Sequence, residues 1–155
     1  TMLGSHYPLR DRMYGILGSM NKQGFSCAVL SHPGGEHLDA YKDRYAKDFA
    51  SALNDTKVAI TCTGAPNSRY GKYVEIPMCG TAIAGDIPGE DQENFRKFVI
   101  EINMDMSDEE IVEKLKRYVE SDEERNELIK RGQEWSTDYT QERYAERFVE
   151  ILETL

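Results

Sequence analysis

The chain has 155 residues, of which 39% are apolar and 30% charged, and its formal net charge is −9. This size and composition predict one compact domain without a transmembrane segment, because no apolar run approaches the ~20 residues that a bilayer-spanning helix needs. Residues 1–100 hold 11 acids and 11 bases, whereas residues 101–155 hold 17 acids and 8 bases. We expect no nucleic-acid partner, because phosphate backbones are bound chiefly by Lys and Arg.

The three cysteines are too widely spaced to suggest a disulfide framework or a metal site. Cys27, Cys62 and Cys79 stand in apolar or tightly turned contexts, and no clustered histidine completes a metal-binding pattern. We predict buried free thiols, which suit a reducing cytoplasm, and we expect neither a metal nor a cofactor.

Helices and strands alternate in the first two thirds of the chain. Apolar residues at helical spacing predict a helix from Pro8 that stops at Gly24, and a second helix over residues 38–53. Short apolar runs predict strands, the first of them buried on both faces, over residues 25–30, 57–63, 81–84 and 98–102. This order predicts an α/β fold, a Rossmann-like doubly wound parallel sheet.

Residues 1–6 stand where a doubly wound fold needs a first strand, but they are too few for a full strand and loop. Either they are partly an expression remnant, or the chain is cut from a longer protein through the end of that strand. We favour the second interpretation.

The last third is predicted to be helical. Residues 107–110 and 121–124 both have the Ser-x-x-Glu pattern of a capping box, in which Ser and Glu reciprocally satisfy the first free amides of a helix. A final amphipathic helix is predicted from Thr140, with one apolar face made of Tyr144, Phe148, Ile151 and Leu155.

Ligands of parallel α/β sheets bind outside the carboxyl ends of the strands, which here are followed by residues 4–12, 31–35 and 64–75. Arg69, Lys72 and Glu75 recur every three residues and would share one face if they were helical. Two cations suit a diphosphate and a carboxylate suits a ribose diol, although a surface cluster of charges explains the same pattern.

Two further candidates lie in the other loops. Arg10 stands in the first turn of a helix, where an anion is favoured, although Asp11 is available as an ion-pair partner. His32 precedes Pro-Gly-Gly and is either a substrate-orienting group or an ordinary loop histidine.

The stretch Tyr70 to Asp86 resembles the donor-binding signature of GT-B glycosyltransferases, specifically the group 1 enzymes and their spore-maturation-type relatives. Their order of a Glu, a Cys-Gly or Ala-Gly pair and a short strand is matched by Glu75, Cys79-Gly80 and residues 81–84. The helical ending and the loops at residues 7–10 and 31–34 are also similar to those of this family, so the resemblance covers nearly the whole chain.

The resemblance implies that Glu75 holds the donor ribose and that Arg69, with Lys72 or Arg10, neutralises the diphosphate without a metal. It also implies that the loop containing Gly4 and Ser5 approaches the phosphates, and that Tyr70 and His32 belong to the donor site. Two positions depart from the family pattern. Asn67 replaces an acid that many members carry, and Pro77 predicts a short or kinked helix around Glu75.

By the same resemblance, the chain is the C-terminal, nucleotide-sugar-binding half of a two-domain enzyme. The donor would be a UDP or GDP sugar, and a glycan, lipid or protein acceptor would bind through a missing N-terminal domain. The isolated domain is then expected to bind the donor weakly and to transfer sugar poorly or not at all. The alternatives are a non-catalytic binding or scaffolding module and, with less support, another doubly wound phosphoryl or nucleotide module.

Overall fold

A five-stranded parallel sheet lies at the centre of the fold. The computed structural model describes residues 1–3, 6–30, 47–64 and 67–154. The strand order is β2-β1-β3-β4-β5, and all four neighbouring pairs are parallel. The strands are β1 (Met2–Leu3), β2 (Val29–Leu30), β3 (Val58–Ile60), β4 (Ala82–Gly85) and β5 (Val99–Glu101). The predicted doubly wound α/β fold is therefore confirmed.

Seven α-helices in the described ranges surround or follow this sheet. They are α1 (Pro8–Lys22), α2 (residues 47–54), α3 (Lys72–Met78), α4 (Gln92–Phe95), α5 (Asp108–Glu120), α6 (Asp122–Ser136) and α7 (Gln141–Glu153). A 3₁₀ turn, Thr137–Tyr139, joins α6 to α7. Among the residues described, none of these helices is long and apolar enough to cross a membrane.

The core has two parts, one on each face of the sheet. Val58, Ile60 and Ala84 belong to the cluster that α1 and α5 cover, whereas Ala59 and Ile83 belong to the cluster that contains residues of α2, α3 and α4. This alternation follows from the twofold period of a strand. Apolar runs buried on both faces are typical of parallel sheets.

The first predicted strand, over residues 25–30, is shorter and more exposed than expected. Strand β2 is an edge strand of two residues, and Val29 is 40% exposed. The backbone of Cys27 bonds instead to the Asn21 side chain, whose Oδ1 accepts from Cys27 N at 2.9 Å and whose Nδ2 donates to Cys27 O at 3.1 Å. The prediction of a fully buried strand over residues 25–30 was therefore wrong.

The helix boundaries follow their local sequence cues. Helix α1 begins at Pro8, and the chain turns out of it at Gly24, whose φ is +92°. The predicted shortness of the helix around Glu75 is also confirmed, since α3 has seven residues with Pro77 inside it. The upstream part of the second predicted helix, with Leu38, lies outside the described residues.

Only one of the two predicted capping boxes is complete. At Ser107, the side chain accepts from Glu110 N at 3.2 Å and the Glu110 carboxylate accepts from Ser107 N at 2.6 Å. At Ser121, the side chain accepts from Glu124 N at 3.3 Å, but both Glu124 carboxylate oxygens accept from Arg117 at 2.7 Å. The Glu124 carboxylate is thus bound to the Arg117 guanidinium instead of accepting from Ser121 N, as the second capping box requires.

The predicted amphipathic helix α7 forms, and its apolar face is exposed. Tyr144 is 74%, Phe148 is 54% and Ile151 is 59% exposed. The fourth residue of the predicted face, Leu155, lies outside the described residues.

The three cysteines are free, as expected, but only Cys62 is fully buried, whereas Cys27 and Cys79 are half-buried.

Candidate functional site

The order of the strands determines where a ligand site is expected. The chain runs from β1 outward to β2 and then returns to the other side of β1 to form β3. The direction of winding therefore reverses between β1 and β3, and ligands of open α/β sheets bind at the carboxyl edge beside this point. The loops after β1, β3 and β4 meet at this edge, which brings Tyr7, Gly64 and Asp86 to one end of the sheet.

A buried cation lies beside the reversal point. Arg10 is only 4% exposed, and its guanidinium lies 5.2 Å from the centroid of the Tyr7 ring. The guanidinium also lies close enough to Cys62, just after β3, for its charge to act on the thiol. Burial raises the pKa of the Cys62 thiol, and the Arg10 charge acts in the opposite direction. The predicted cation Arg10 is therefore part of the fold at this edge rather than an exposed surface charge.

Two tyrosines join the loops across the same edge. The hydroxyls of Tyr7 and Tyr70 lie 2.9 Å apart, and their ring centroids are separated by 5.7 Å. This hydrogen bond is the largest of the effects that raise the pKa of the Tyr70 hydroxyl. A Cβ added to Gly64 would lie 2.0 Å from the Tyr70 hydroxyl oxygen, so the ring occupies the space that any larger residue would need. Gly64 thus permits the close approach of Tyr70.

Asp86 joins the ends of β3 and β4. Its carboxylate accepts hydrogen bonds from Thr63 N at 2.7 Å and from Thr63 Oγ1 at 2.5 Å. The buried Tyr73 hydroxyl donates to Asp86 O at 2.5 Å, and burial followed by the Asp86 charge raises the pKa of Tyr73. Sequence reasoning assigned Asp86 no role. An acid directly after a buried strand is the sequence signal that could have pointed to it.

The predicted cluster on one helical face forms only in part. The Lys72 ammonium lies 2.8 Å from Glu75 Oε2 across one turn of α3, and 4.0 Å from the centroid of the Phe49 ring. Glu75 Oε1 lies 3.0 Å from the position that a Cβ on Gly71 would take, so the carboxylate is turned towards the N-terminal end of α3. The helix of a βα unit starts at the carboxyl edge of the sheet, so Lys72, the first residue of α3, stands at that edge.

Arg69 precedes α3 and has different neighbours. Its guanidinium lies 4.4 Å from the centroid of Tyr139 and 5.7 Å from the centroid of the Trp135 ring. Its backbone N–H donates to Glu90 Oε1 at 2.7 Å, and this bond lowers the pKa of the Glu90 carboxyl. Arg69 therefore does not share a helical face with Lys72 and Glu75, and its role at a diphosphate stays a prediction.

Three predicted site residues, Gly4, Ser5 and His32, lie outside the described residues. Asn67, where the resemblance led us to expect an acid, has a left-handed conformation with φ of 61°. In the described part of the chain, no three His, Cys, Asp or Glu side chains come close enough together to hold a metal ion.

A comparison with protein families shows the family of the chain. The sequence model of the glycosyl transferase-like family matches residues 10–153. The chain belongs to this glycosyl transferase-like family. The match includes α3 with Lys72 and Glu75, and it extends into α7. Comparisons with curated proteins and with solved structures gave no significant match.

Proposed function

We propose that this glycosyl transferase-like chain binds a nucleoside-diphosphate sugar at the carboxyl edge between β1 and β3. The observation that carries the proposal is the Lys72–Glu75 pair at the start of α3, with 2.8 Å between ammonium and carboxylate. A ribose diol can donate two hydrogen bonds to the Glu75 carboxylate, and Lys72 can contact the adjoining diphosphate. One short helix thus carries one group for the ribose and one for the diphosphate.

Arg10 is the second cation of the proposed site. Charge builds up on the diphosphate as the sugar leaves, and a fixed cation in a water-poor environment stabilises that charge. Arg10 fits this task because it is 4% exposed and lies beside Tyr7 and Cys62. With Arg10 and Lys72 supplying positive charge, we propose that transfer is metal-independent. Gly4 and Ser5, in the loop after β1, are proposed to contribute backbone amides.

The resemblance to spore-maturation-type GT-B enzymes supports a division of labour between two domains. In this proposal the chain supplies the donor half, and an N-terminal domain supplies the acceptor site and any catalytic base. The isolated chain then binds UDP or GDP sugars weakly and transfers sugar poorly. A cytoplasmic location is proposed from the three free thiols, which suit a reducing compartment.

The test is a calorimetric titration of the purified chain with UDP, GDP and their sugar conjugates, repeated on Glu75→Gln and Glu75→Ala. Loss of a charged hydrogen-bond partner should weaken binding by roughly 1 to 3 kcal/mol, or about 5-fold to 150-fold. Glu93→Gln is the matched control, since the Glu93 side chain is 91% exposed on α4 and should leave the affinity unchanged.

A scaffolding module is the second candidate. The exposed apolar side chains of α7, including Tyr144, favour it because such a face is suited to a protein partner. A folded chain that binds none of the nucleotides, alone or with an N-terminal domain restored, would support this candidate and contradict the donor-binding proposal.

A further inference from the structure

The Arg69 guanidinium lies in an aromatic cluster at the end of α6. The Tyr139 and Trp135 ring centroids are 4.4 Å apart, and Arg69 lies over both rings. Trp135 is held in place because its Nε1 donates to Asp91 Oδ2 at 3.0 Å and its ring packs 4.8 Å from that of Phe95. The cation therefore rests on a surface that is fixed to the core.

The backbone around Arg69 is held by two hydrogen bonds. Gly89 N donates to Asn67 O at 2.8 Å, and Arg69 N donates to Glu90 Oε1 at 2.7 Å. Among the described residues, the only two non-glycine positions with positive φ are Asn67 and Asp91, and both belong to this assembly. Such conformations persist where the surroundings fix them, so the segment is held firmly by its neighbours.

Tyr70 follows Arg69 directly and reaches the proposed nucleotide site. Its hydroxyl meets that of Tyr7 at 2.9 Å, over Gly64 and beside the reversal point of the sheet. A change at Arg69 therefore moves a side chain that borders the ligand edge. Arg69 and Tyr70 are adjacent in the chain, so a single peptide unit connects the two side chains.

We infer that Arg69 and Tyr139 are positioning residues: their stacking holds residues 67–71 in place, and nucleotide affinity therefore depends on the 3₁₀ turn Thr137–Tyr139. The affinity part of this inference rests on the proposed donor-binding function. A planar guanidinium can stack on an aromatic ring through its flat face, which a lysine ammonium cannot reproduce. The inference thus assigns Arg69 a different role from a simple charge opposite a phosphate.

The decisive comparison is Tyr139→Ala with Tyr139→Phe as the matched control, because phenylalanine keeps the ring and removes only the hydroxyl. Hydrogen exchange of the amides of residues 68–71 and titration with UDP and GDP are measured on each variant. The alanine variant should exchange these amides faster and bind nucleotide about three-fold to ten-fold more weakly, the range for one cation–π contact. The phenylalanine variant should match the wild-type chain.

Arg69→Lys is the second variant and separates stacking from charge. If Arg69 positions the loop, the lysine variant should behave like Tyr139→Ala in both measurements. If Arg69 acts only as a phosphate-binding charge, the lysine variant should keep most of its affinity and Tyr139→Ala should have no effect. Trp135, the single tryptophan of the chain, provides a fluorescence control that reports whether the aromatic cluster stays folded.

Unchanged amide exchange in both variants would overturn the inference. Faster exchange with an unchanged nucleotide affinity would overturn its functional part. If the wild-type chain binds no nucleotide, the proposed function fails. The exchange rates in Tyr139→Ala and Tyr139→Phe then still support or contradict the positioning of residues 67–71.

Discussion

Gly132 lies where α6 packs against α3 and against Phe98, just before β5, and replacing it with alanine tests that packing. The added Cβ would lie 3.1 Å from a ring carbon of Phe98 and 3.2 Å from Cβ of Pro77. Both neighbours are buried, and Phe98 is only 2% exposed. Neither is the free end of a flexible side chain, so the helices must separate or the ring must leave its preferred position.

The expected size follows from two opposing terms. Alanine is favoured over glycine in a helix interior by roughly 1 kcal/mol, which stabilises the variant. Overpacking of a close-packed core costs typically ~1 to 3 kcal/mol, which destabilises it. The net expectation for Gly132→Ala is a loss of about 0 to 2 kcal/mol. Gly18→Ala is the matched control, because nothing lies within 4 Å of its added Cβ on α1, and it should gain up to about 1 kcal/mol.

Urea denaturation of the two variants and the wild-type chain gives the free energies of unfolding. A third variant, Gly132→Ala with Phe98→Leu, tests the cause, because a smaller side chain at 98 leaves room for the added methyl. In the Phe98→Leu background, Gly132→Ala should lower the free energy of unfolding by less than it does beside Phe98. The difference is a coupling energy of the size seen between residues in contact. Equal stabilisation by Gly18→Ala and Gly132→Ala would refute the packing argument.

Three further outcomes are expected. Gly64→Ala should displace Tyr70 and weaken nucleotide binding several-fold in calorimetry, and an affinity equal to wild type would contradict the close approach of these residues. The N-cap amide lowers the pKa of Glu110, so the stability it contributes is present above about pH 4.3 and is lost as the pH falls through its folded-state pKa. Denaturation at several pH values should therefore separate Glu110→Ala from wild type at pH 7 but not near pH 2. In alkylation followed by mass spectrometry, half-buried Cys79 should react in the native state, but more slowly than a fully exposed cysteine because burial raises its pKa. Buried Cys62 should react only after the chain is unfolded.

The elements that depend on nearby residues could be predicted from the sequence. Helix α1 follows from apolar spacing between Pro8 and Gly24, and α5 follows from the capping box at Ser107. Strands β3 and β4 follow from short apolar runs, because burial on both faces demands such runs. In each case the cause lies within a few residues of the effect.

The parts that depend on distant residues could not be predicted. The start of the first predicted strand was misplaced because Asn21 binds the Cys27 backbone, and the second capping box was incomplete because Arg117 takes the carboxylate of Glu124. The Arg69 guanidinium lies over the ring of Tyr139, which is far along the chain. The spacing of Arg69, Lys72 and Glu75 indicated charge at the right edge of the sheet but not which charges would meet.

The position of β1 has a consequence for how the chain folds. This strand precedes both of its partners, pairing with Val29 on one side and Ile60 on the other. Until β1 is inserted, β3 has an open edge whose backbone donors and acceptors can pair with a strand of another molecule. Parallel pairing between distant segments is slow, so this open state persists during refolding. The yield of refolded protein should therefore fall as the chain concentration rises, because a strand of another molecule can pair with β3 where β1 belongs.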